Sequence, residues 1–335
     1  MTARHAMFAA LLAVLVFLPQ FVPPYFMHLL IQILLWGFVY TAWSVMGRFG
    51  FVSLGHGAFM GVGAYVPALL WNYFGLTPWI GIPLGVGLSV LLGLIIGYPC
   101  FRLKVIGHYF ALVTLALGQV VMLSIVAARD LTGGSLGFTP RAVGYSWFAL
   151  QFPEKIYFYA ISLVLWLFGI AVWYSVDRGI SSEALEAISE DEEAAATIGI
   201  NVVREKLRVT LISAALTALG GAIYGQYMMY LNPETVSGIA VSLQIVFAAI
   251  VGGTYAALGP TVGSFLTISL NEGLRVAFGT NFIGAANTIY GIMLILFIIF
   301  MPRGIVGMIE DTVKGRWRGK AAFYSVIRRP SSADQ

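Results

Sequence analysis

Eight of the fifteen carboxylates in this 335-residue sequence fall between Asp177 and Glu205, most of them within AISEDEEAAATIGINVVREKL (187–207). The plain reading of such a cluster is a solvated loop; the functional one is a charged docking surface. Elsewhere, residues able to do chemistry are few. His56 could relay a proton or ligate a metal. Only four histidines exist, however (His5, His28, His56 and His108), and none has paired ligand spacing. A buried histidine with a satisfied hydrogen bond fits His56 better. Glu272 and Arg275 lie three apart, so on a helix they share a face and can pair. Ionisable residues inside a membrane are functional candidates by default. The following GTNF turn places this pair near a membrane boundary, which favours a structural role. The sequence contains no GxxxxGK[ST] phosphate loop; GRWRGK (315–320) has the wrong spacing and no Ser or Thr after it. Nor does it contain a Ser-His-Asp constellation or a metal cluster. The expectation is therefore no catalytic residue, no metal and no cofactor bound by this chain.

The elements that position these residues are set by composition. Hydrophobic residues make up 59% and charged residues 10%, against roughly 45–50% and about 25% in soluble domains. Apolar runs near the ~20 residues that cross a bilayer predict an all-α polytopic membrane protein with eight to ten transmembrane helices. The spans are 7–22, 26–46, 54–74, 78–99, 106–127, 156–176, 208–229, 240–257, 260–278 and 283–301, with partial or broken helices expected around 54–74 and 240–278. The N-terminus begins like a signal peptide but lacks a small-x-small cleavage pattern, so residues 1–24 read as a retained first span. Residues 25–301 form the main transmembrane domain. The tail, 302–335, alternates basic residues with Trp317, Phe323 and Tyr324, as a surface-lying anchor does. Cys100 stands alone, so no internal disulfide forms. With ten spans, fifteen Lys and Arg fall in the inner segments and four (Arg129, Arg141, Lys155, Arg275) in the outer ones. That bias puts both termini and the acidic loop, 177–207, in the cytoplasm and loop 128–155 outside. It also explains the net charge of +4 without a nucleic-acid partner.

Small residues shape the interior. Gly81, Gly85, Ser89, Gly93 and Gly97 recur every fourth position, and Gly107, Ala111, Thr114 and Gly118 at four, three and four. Lipid tails give helices no hydrophobic reason to associate, so close approach along such stripes supplies it. Two further stretches, SLGHGAFMGVGAY (53–65) and GGTYAALGPTVGS (252–264), combine glycine with hydroxyls at span ends, one in each half. Interrupted segments in two pseudo-symmetric halves mark a transport path. Ser53, Gly55, His56, Gly57, Gly252, Gly253 and Thr254 are its candidates, with Tyr109, and Tyr65 and Tyr255 as further aromatic linings.

In the acidic loop, Ser189 and Glu192 have capping-box spacing. Glu190 to Glu193 then fill a helix's first turn, where the dipole favours anions. Ala194 to Ala196 propagate it and Gly199 stops it. Upstream, SSEALEAI predicts a second short helix with Leu185 and Ile188 on one face. Two ordered helices with an apolar face favour a docking surface for a soluble partner.

Glu193-Ala194-Ala195, three residues and then Gly199 match the EAA-xxx-G motif of bacterial ABC importer permeases. Together with SLGHGAFMGVGAY, GHYFALVTLALGQVV, the TGG of the outer loop and GGTYAALGPTVGS, the chain resembles branched-chain amino-acid permeases of LivM type over roughly 25–305. Two departures stand out. Glu186 and Ser189 occupy positions where the family often has arginine, and the motif's later Leu-Pro is missing. The resemblance implies a permease in the bacterial plasma (inner) membrane beside a second, LivH-like permease subunit. Two ABC ATPase subunits carrying ATP and Mg, and an extracytoplasmic substrate-binding protein, would complete the assembly. It implies ATPase coupling through Glu193, Ala194, Ala195 and Gly199, with Leu185 and Ile188 beside them. Cargo would be branched-chain or other hydrophobic amino acids; permeases for urea, short amides or aromatic carboxylates are the same-family alternative. An ion-coupled secondary transporter is the alternative of another class.

Overall fold

Inside a bilayer no water is present to bond exposed backbone, so each span must satisfy its own peptide groups. The computed structural model does this with helices. It describes residues 15–105, 107–278, 288–289, 291–293, 296–297 and 304–313. Among them the extended pairings are the isolated bridges Phe138–Leu231 and Ser146–Gln151. The long helices are α1 (Pro24–Gly47), α2 (His56–Phe74), α3 (Pro78–Arg102) and α4 (Gly107–Ala127). After a one-turn α5 (Arg129–Thr132) comes α6 (Lys155–Asp177), then the short α7 (Ile180–Glu190) and α8 (Glu192–Thr197). The long α9 (Val202–Met228), the short α10 (Pro233–Ser237), α11 (Ile239–Gly252), α12 (Gly259–Phe278) and α13 (Gly304–Val313) complete the order.

Six of these segments are long and apolar enough to cross a membrane, α10 and α11 counting as one segment of 20 residues. At 19 and 20 residues, α2 and α12 match them in length without being as apolar. The expected break in 54–74 is absent: α2 runs through Pro67 to a left-handed Gly75. The break expected in 240–278 is real and lies at 253–258. Half of span 7–22, most of span 283–301 and the tail beyond 313 lie outside the described residues. Residues 304–313 of the tail form α13, packed on α11 and α12.

The core is α1, enclosed by α6, α9, α11 and α12, with α2 wedged between α9 and α3. Phe38, Tyr40, Trp43, Tyr159 and Trp166 are its largest fully buried side chains. Glycine lets these rings in: a Cβ on Gly169 would sit 2.6 Å from the Phe38 ring. The fourth-residue stripe on α3 is buried throughout. Its Gly81 abuts Pro67 of α2, while Gly93 and Gly97 face Leu211 and Leu207 of α9. The stripe is a packing seam. The second stripe is a seam only in part, because Thr114 and Gly118 are buried whereas Gly107 is exposed at the start of α4.

Helix ends segregate by side. At one end Arg48 pairs with Asp177 at 2.7 Å, Lys104 with Glu193 at 3.3 Å, and Arg208 donates to Ser181 Oγ at 3.0 Å. At the other, Lys155 Nζ donates to Pro24 O at 3.0 Å and Trp71 Nε1 to Arg141 O at 2.8 Å. There Arg275 meets Glu272 at 2.6 Å, and Tyr25 donates to the same carboxylate. The sequence reading of that pair as a boundary contact agrees with this placement. Arg48 is a costly ion at the loop end. Its side chain is 4% exposed, stacked 4.4 Å from the Trp173 ring, with Asp177 as its only charged partner among the described residues. Removing one member of a buried pair strands the other charge. With Asp177 partly exposed, Asp177→Ala should cost about 1–3 kcal/mol. The double variant Arg48→Met/Asp177→Ala should unfold at a higher temperature than Asp177→Ala alone in detergent-solubilised thermal melts.

Candidate functional site

The loop between α6 and α9 folds because α7 buries Ser182, Leu185 and Ile188, spaced three apart along one stripe. That stripe faces the chain's own α6 and α9. Leu185 and Ile188, 1% and 4% exposed, therefore anchor the loop from beneath and do not form an outward docking face. This corrects the reading of an apolar surface left for a partner. A loop emerging from a bundle covers the bundle's apolar end before it can offer apolar groups to anything else.

The cap also moves. Because Ile188 completes the buried stripe, α7 continues through Glu190, and Ser189 lies in its last turn with Oγ donating to Glu186 O at 2.7 Å. The extended residue is Asp191, at φ −154° and ψ 110°. Its Oδ1 accepts from Glu193 N at 2.9 Å and Ala194 N at 3.0 Å. Asp191, not Ser189, is the N-cap of α8. The Gly199 stop stands as expected. Gly199 N–H donates to Ala196 O at 3.1 Å and Ile200 N–H to Ala195 O at 3.2 Å. These two bonds form a Schellman closure with Gly199 at φ +92°. A Cβ there would meet no atom within 4 Å, so backbone conformation alone demands glycine.

Charge then fastens α8 to the bundle. Lys206, on the first turns of α9 and 3% exposed at its side chain, donates to Glu192 at the start of α8. Its ammonium also lies 5.3 Å from the Phe51 ring and 6.0 Å from that of Phe101, within the range of cation–π attraction. One residue on, Glu193 points outward to an exposed Lys104, a contact worth little in water. Ala195 is buried, Ala194 is exposed, and Ile198 is 75% exposed. Ile198 and the equally bare Ile180 are the apolar groups this loop does present. The sequence reading missed both, although an isoleucine in an otherwise polar turn was the available signal.

The path candidates gather at two packed nodes. Ser53 O accepts from Trp43 Nε1 at 2.9 Å, and Leu54 N–H donates to Thr114 Oγ1 at 3.0 Å. A Cβ on Gly55 would lie 2.5 Å from Thr114 O, and one on Gly57 2.7 Å from Ser242 Oγ. His56 is fully buried, with Nε2 at 2.8 Å from Ser213 Oγ. Ser213 gives its own proton to Ala42 O at 2.7 Å. Nε2 must therefore carry the imidazole proton, leaving Nδ1 bare and unpartnered among the described residues. The start of α2 is thus tied to α1, α4, α9 and α11. In the second node Gly252 presses against Gly259 O, and a Cβ on Gly304 would fall 2.5 Å from Gly253. Gly253 itself has φ +111°, and Thr254 is half-buried. Tyr109 and Tyr255 are each 74% exposed, whereas Tyr65 is buried and donates to Leu231 O at 3.1 Å. The two nodes meet α11 at different points, the first at Ser242 and the second at Gly252.

A helical bundle with at least six membrane-crossing segments and an ordered, charge-anchored loop at one end is a multi-pass membrane protein. The chain belongs to the branched-chain amino acid transport system permease-component family, whose model matches residues 25–301. It is 28% identical over 303 residues to the high-affinity branched-chain amino acid transport system permease protein LivM of Salmonella typhimurium, covering 83% of this chain and 69% of that one. The LivH permease of the same named system in Escherichia coli is 25% identical, with 79% and 89% covered. The fructose import permease protein FrcC of Rhizobium meliloti is 23% identical, with 73% and 69% covered. No solved structure matches.

The cap assignment is checked by amide exchange. Asp191→Ala should destabilise α8 by about 1 kcal/mol and speed exchange at Glu193 and Ala194, while Ser189→Ala leaves both unchanged. Gly199→Asp must adopt a left-handed conformation at roughly 1–2 kcal/mol. It should insert into the membrane normally yet speed amide exchange at Ala195 to Ile200 relative to the unsubstituted chain.

Proposed function

We propose that the chain is the transmembrane permease subunit of an ABC importer for branched-chain or other hydrophobic amino acids. It would work beside a LivH-like permease over two ATPase subunits, fed by an extracytoplasmic binding protein. The observation that carries this reading is the capped α8 held to the bundle by Glu192 and Lys206. A short rigid helix displaced by a closing ATPase moves α9 with it, because separating a buried ammonium from its carboxylate is costly. Lys206 also touches Phe51, directly before the 53–57 node, so motion at α8 reaches the start of α2. In this reading Ser53, Gly55, His56 and Gly57, with Gly252, Gly253 and Thr254, seal the path between strokes and part during them. Tyr109 would face the path from the partner-exposed side of α4. The partner contact falls on Glu193, Ala194 and Ile198, with the acids around them setting rate and specificity more than affinity.

The nodes contain hydroxyls and one neutral-patterned imidazole and no carboxylate or ammonium, which suits a zwitterion with an apolar side chain. The fructose permease among the relatives supplies the competing substrate class for the test. Reconstituted with its ATPases and binding protein, the chain should import leucine, isoleucine or valine with ATP. Unlabelled amino acids should compete, and fructose, urea and short amides should not. Uptake by this chain alone on a proton gradient would replace the importer with an ion-coupled carrier. Subunit association should weaken as salt rises, since exposed charges are screened beyond ~10 Å at 0.1 M; insensitivity to salt removes the electrostatic role. In a Cys100→Ala background, Thr197→Cys should react with a membrane-impermeant thiol reagent only from the cytoplasmic side and Tyr145→Cys only from outside. The reverse pattern would invert the orientation.

A further inference from the structure

Between the α7–α8 elbow and the neighbouring helix ends lies a cavity of about 280 Å³. Phe51, Phe101, Phe110 and Ile188 are among its apolar lining, and Lys206, Ser189, Glu190 and the Glu192 already paired with Lys206 are its polar lining. Phe101, Phe110 and Ile188 are each under 5% exposed, so the apolar side is a finished wall. Lys206 has three N–H donors, and Glu192 is its one hydrogen-bond acceptor among the described residues. The nearby rings offer the rest only cation–π attraction. Glu190 has no ion pair among the described residues. A buried cation with donors to spare and a free carboxylate thus flank an aromatic pocket. That combination matches one ligand chemistry: a carboxylate, an ammonium and a compact apolar side chain. The volume lies just below the ~300–1,000 Å³ typical of ligand pockets, which suits a free amino acid and is too small for a nucleotide.

We propose that this cavity binds a free amino acid with an apolar side chain, from the side of the membrane on which α7 and α8 lie. The ligand carboxylate pairs with Lys206, its ammonium with Glu190, and its side chain lies against Phe51, Phe101 and Phe110. Its place explains what occupancy does. The walls come from the coupling loop (Ile188–Glu192), the α1–α2 linker, the end of α3 and the starts of α4 and α9. A ligand there pins the elbow to the bundle and resists the movement of α8 on which transport depends, so imported product restrains further import. The identity of the ligand rests on the amino-acid reading above; the existence of the site does not.

Amide exchange on the full-length chain in lipid nanodiscs, with and without L-leucine, tests it directly. Leucine should slow exchange severalfold in peptides covering 186–207. Isovalerate and isopentylamine, each lacking one of leucine's charges, should do less at equal concentration. Val52 lines the cavity and is 37% exposed, so Val52→Trp fills the space and should abolish the leucine effect. Glu190→Gln should weaken it about tenfold, the loss of one charge-assisted contact. No slowing in the unsubstituted chain at the highest soluble leucine concentration overturns the proposal. So does slowing that persists unchanged in both variants. If Val52→Trp does not fold, as judged by its ligand-free exchange pattern, Glu190→Gln decides. Leucine protection without ATP-driven amino-acid uptake would sink the importer's substrate and leave the cavity; uptake without protection would do the reverse.

Discussion

The Lys206 side chain is only 3% exposed, and an ammonium so little hydrated must be compensated. Its partner, Glu192, opens α8, so the electrostatic requirement of one residue on α9 fixes where the loop helix sits. The same ammonium lies near the ring faces of Phe51 and Phe101, which brings the α1–α2 linker and the end of α3 into one junction. Without the pair, α8 would be six residues held by its caps and by Ala195, too short a helix to persist on propensity alone. A buried ion pair is weak evidence for stability, but it is a good means of making two elements move together, because parting them exposes both charges to an apolar surround.

Within the membrane the cohesive force is different. Apolar side chains gain nothing by leaving lipid for protein, so helices adhere through close fit and through polar groups satisfied inside. The α3 stripe, Gly169 against Phe38 and the Gly252–Gly259–Gly304 contact all supply fit. Ser213, His56, Thr114 and Ser242 supply the polar bonds: the first turn of α2 bonds to α9 and α11, the linker just before it to α4, and Ser213 in turn to α1. The segment singled out as a transport-path candidate is therefore also a tightly packed crossing in the bundle.

Some features were legible in residue types alone. Apolar run lengths and the scarcity of charge specified helices and a membrane, because a bilayer leaves so few ways to satisfy the backbone. Fourth-residue glycines on α3 announced a seam, since a Cβ-free stripe has little other use. Gly199 announced a helix stop, because after an alanine run only a residue tolerant of positive φ ends the helix so cheaply. Glu272 and Arg275 announced each other, being three apart on one helix.

Other features belonged to the tertiary structure. Ser189 and Asp191 are both good caps, and local chemistry does not choose between them. The burial of Ile188 against the bundle carries α7 two residues further and hands the cap to Asp191. Leu185 and Ile188 were visible as an apolar face, but whether that face meets this chain or another depends on where α6 and α9 end in space. The Glu192–Lys206 contact crosses fourteen residues and a helix stop, and the node at His56 joins residues 157 apart. Periodicity reports which residues share a face of one helix. It carries no information about which face of which other helix lies opposite, and close packing in three dimensions is what decides that.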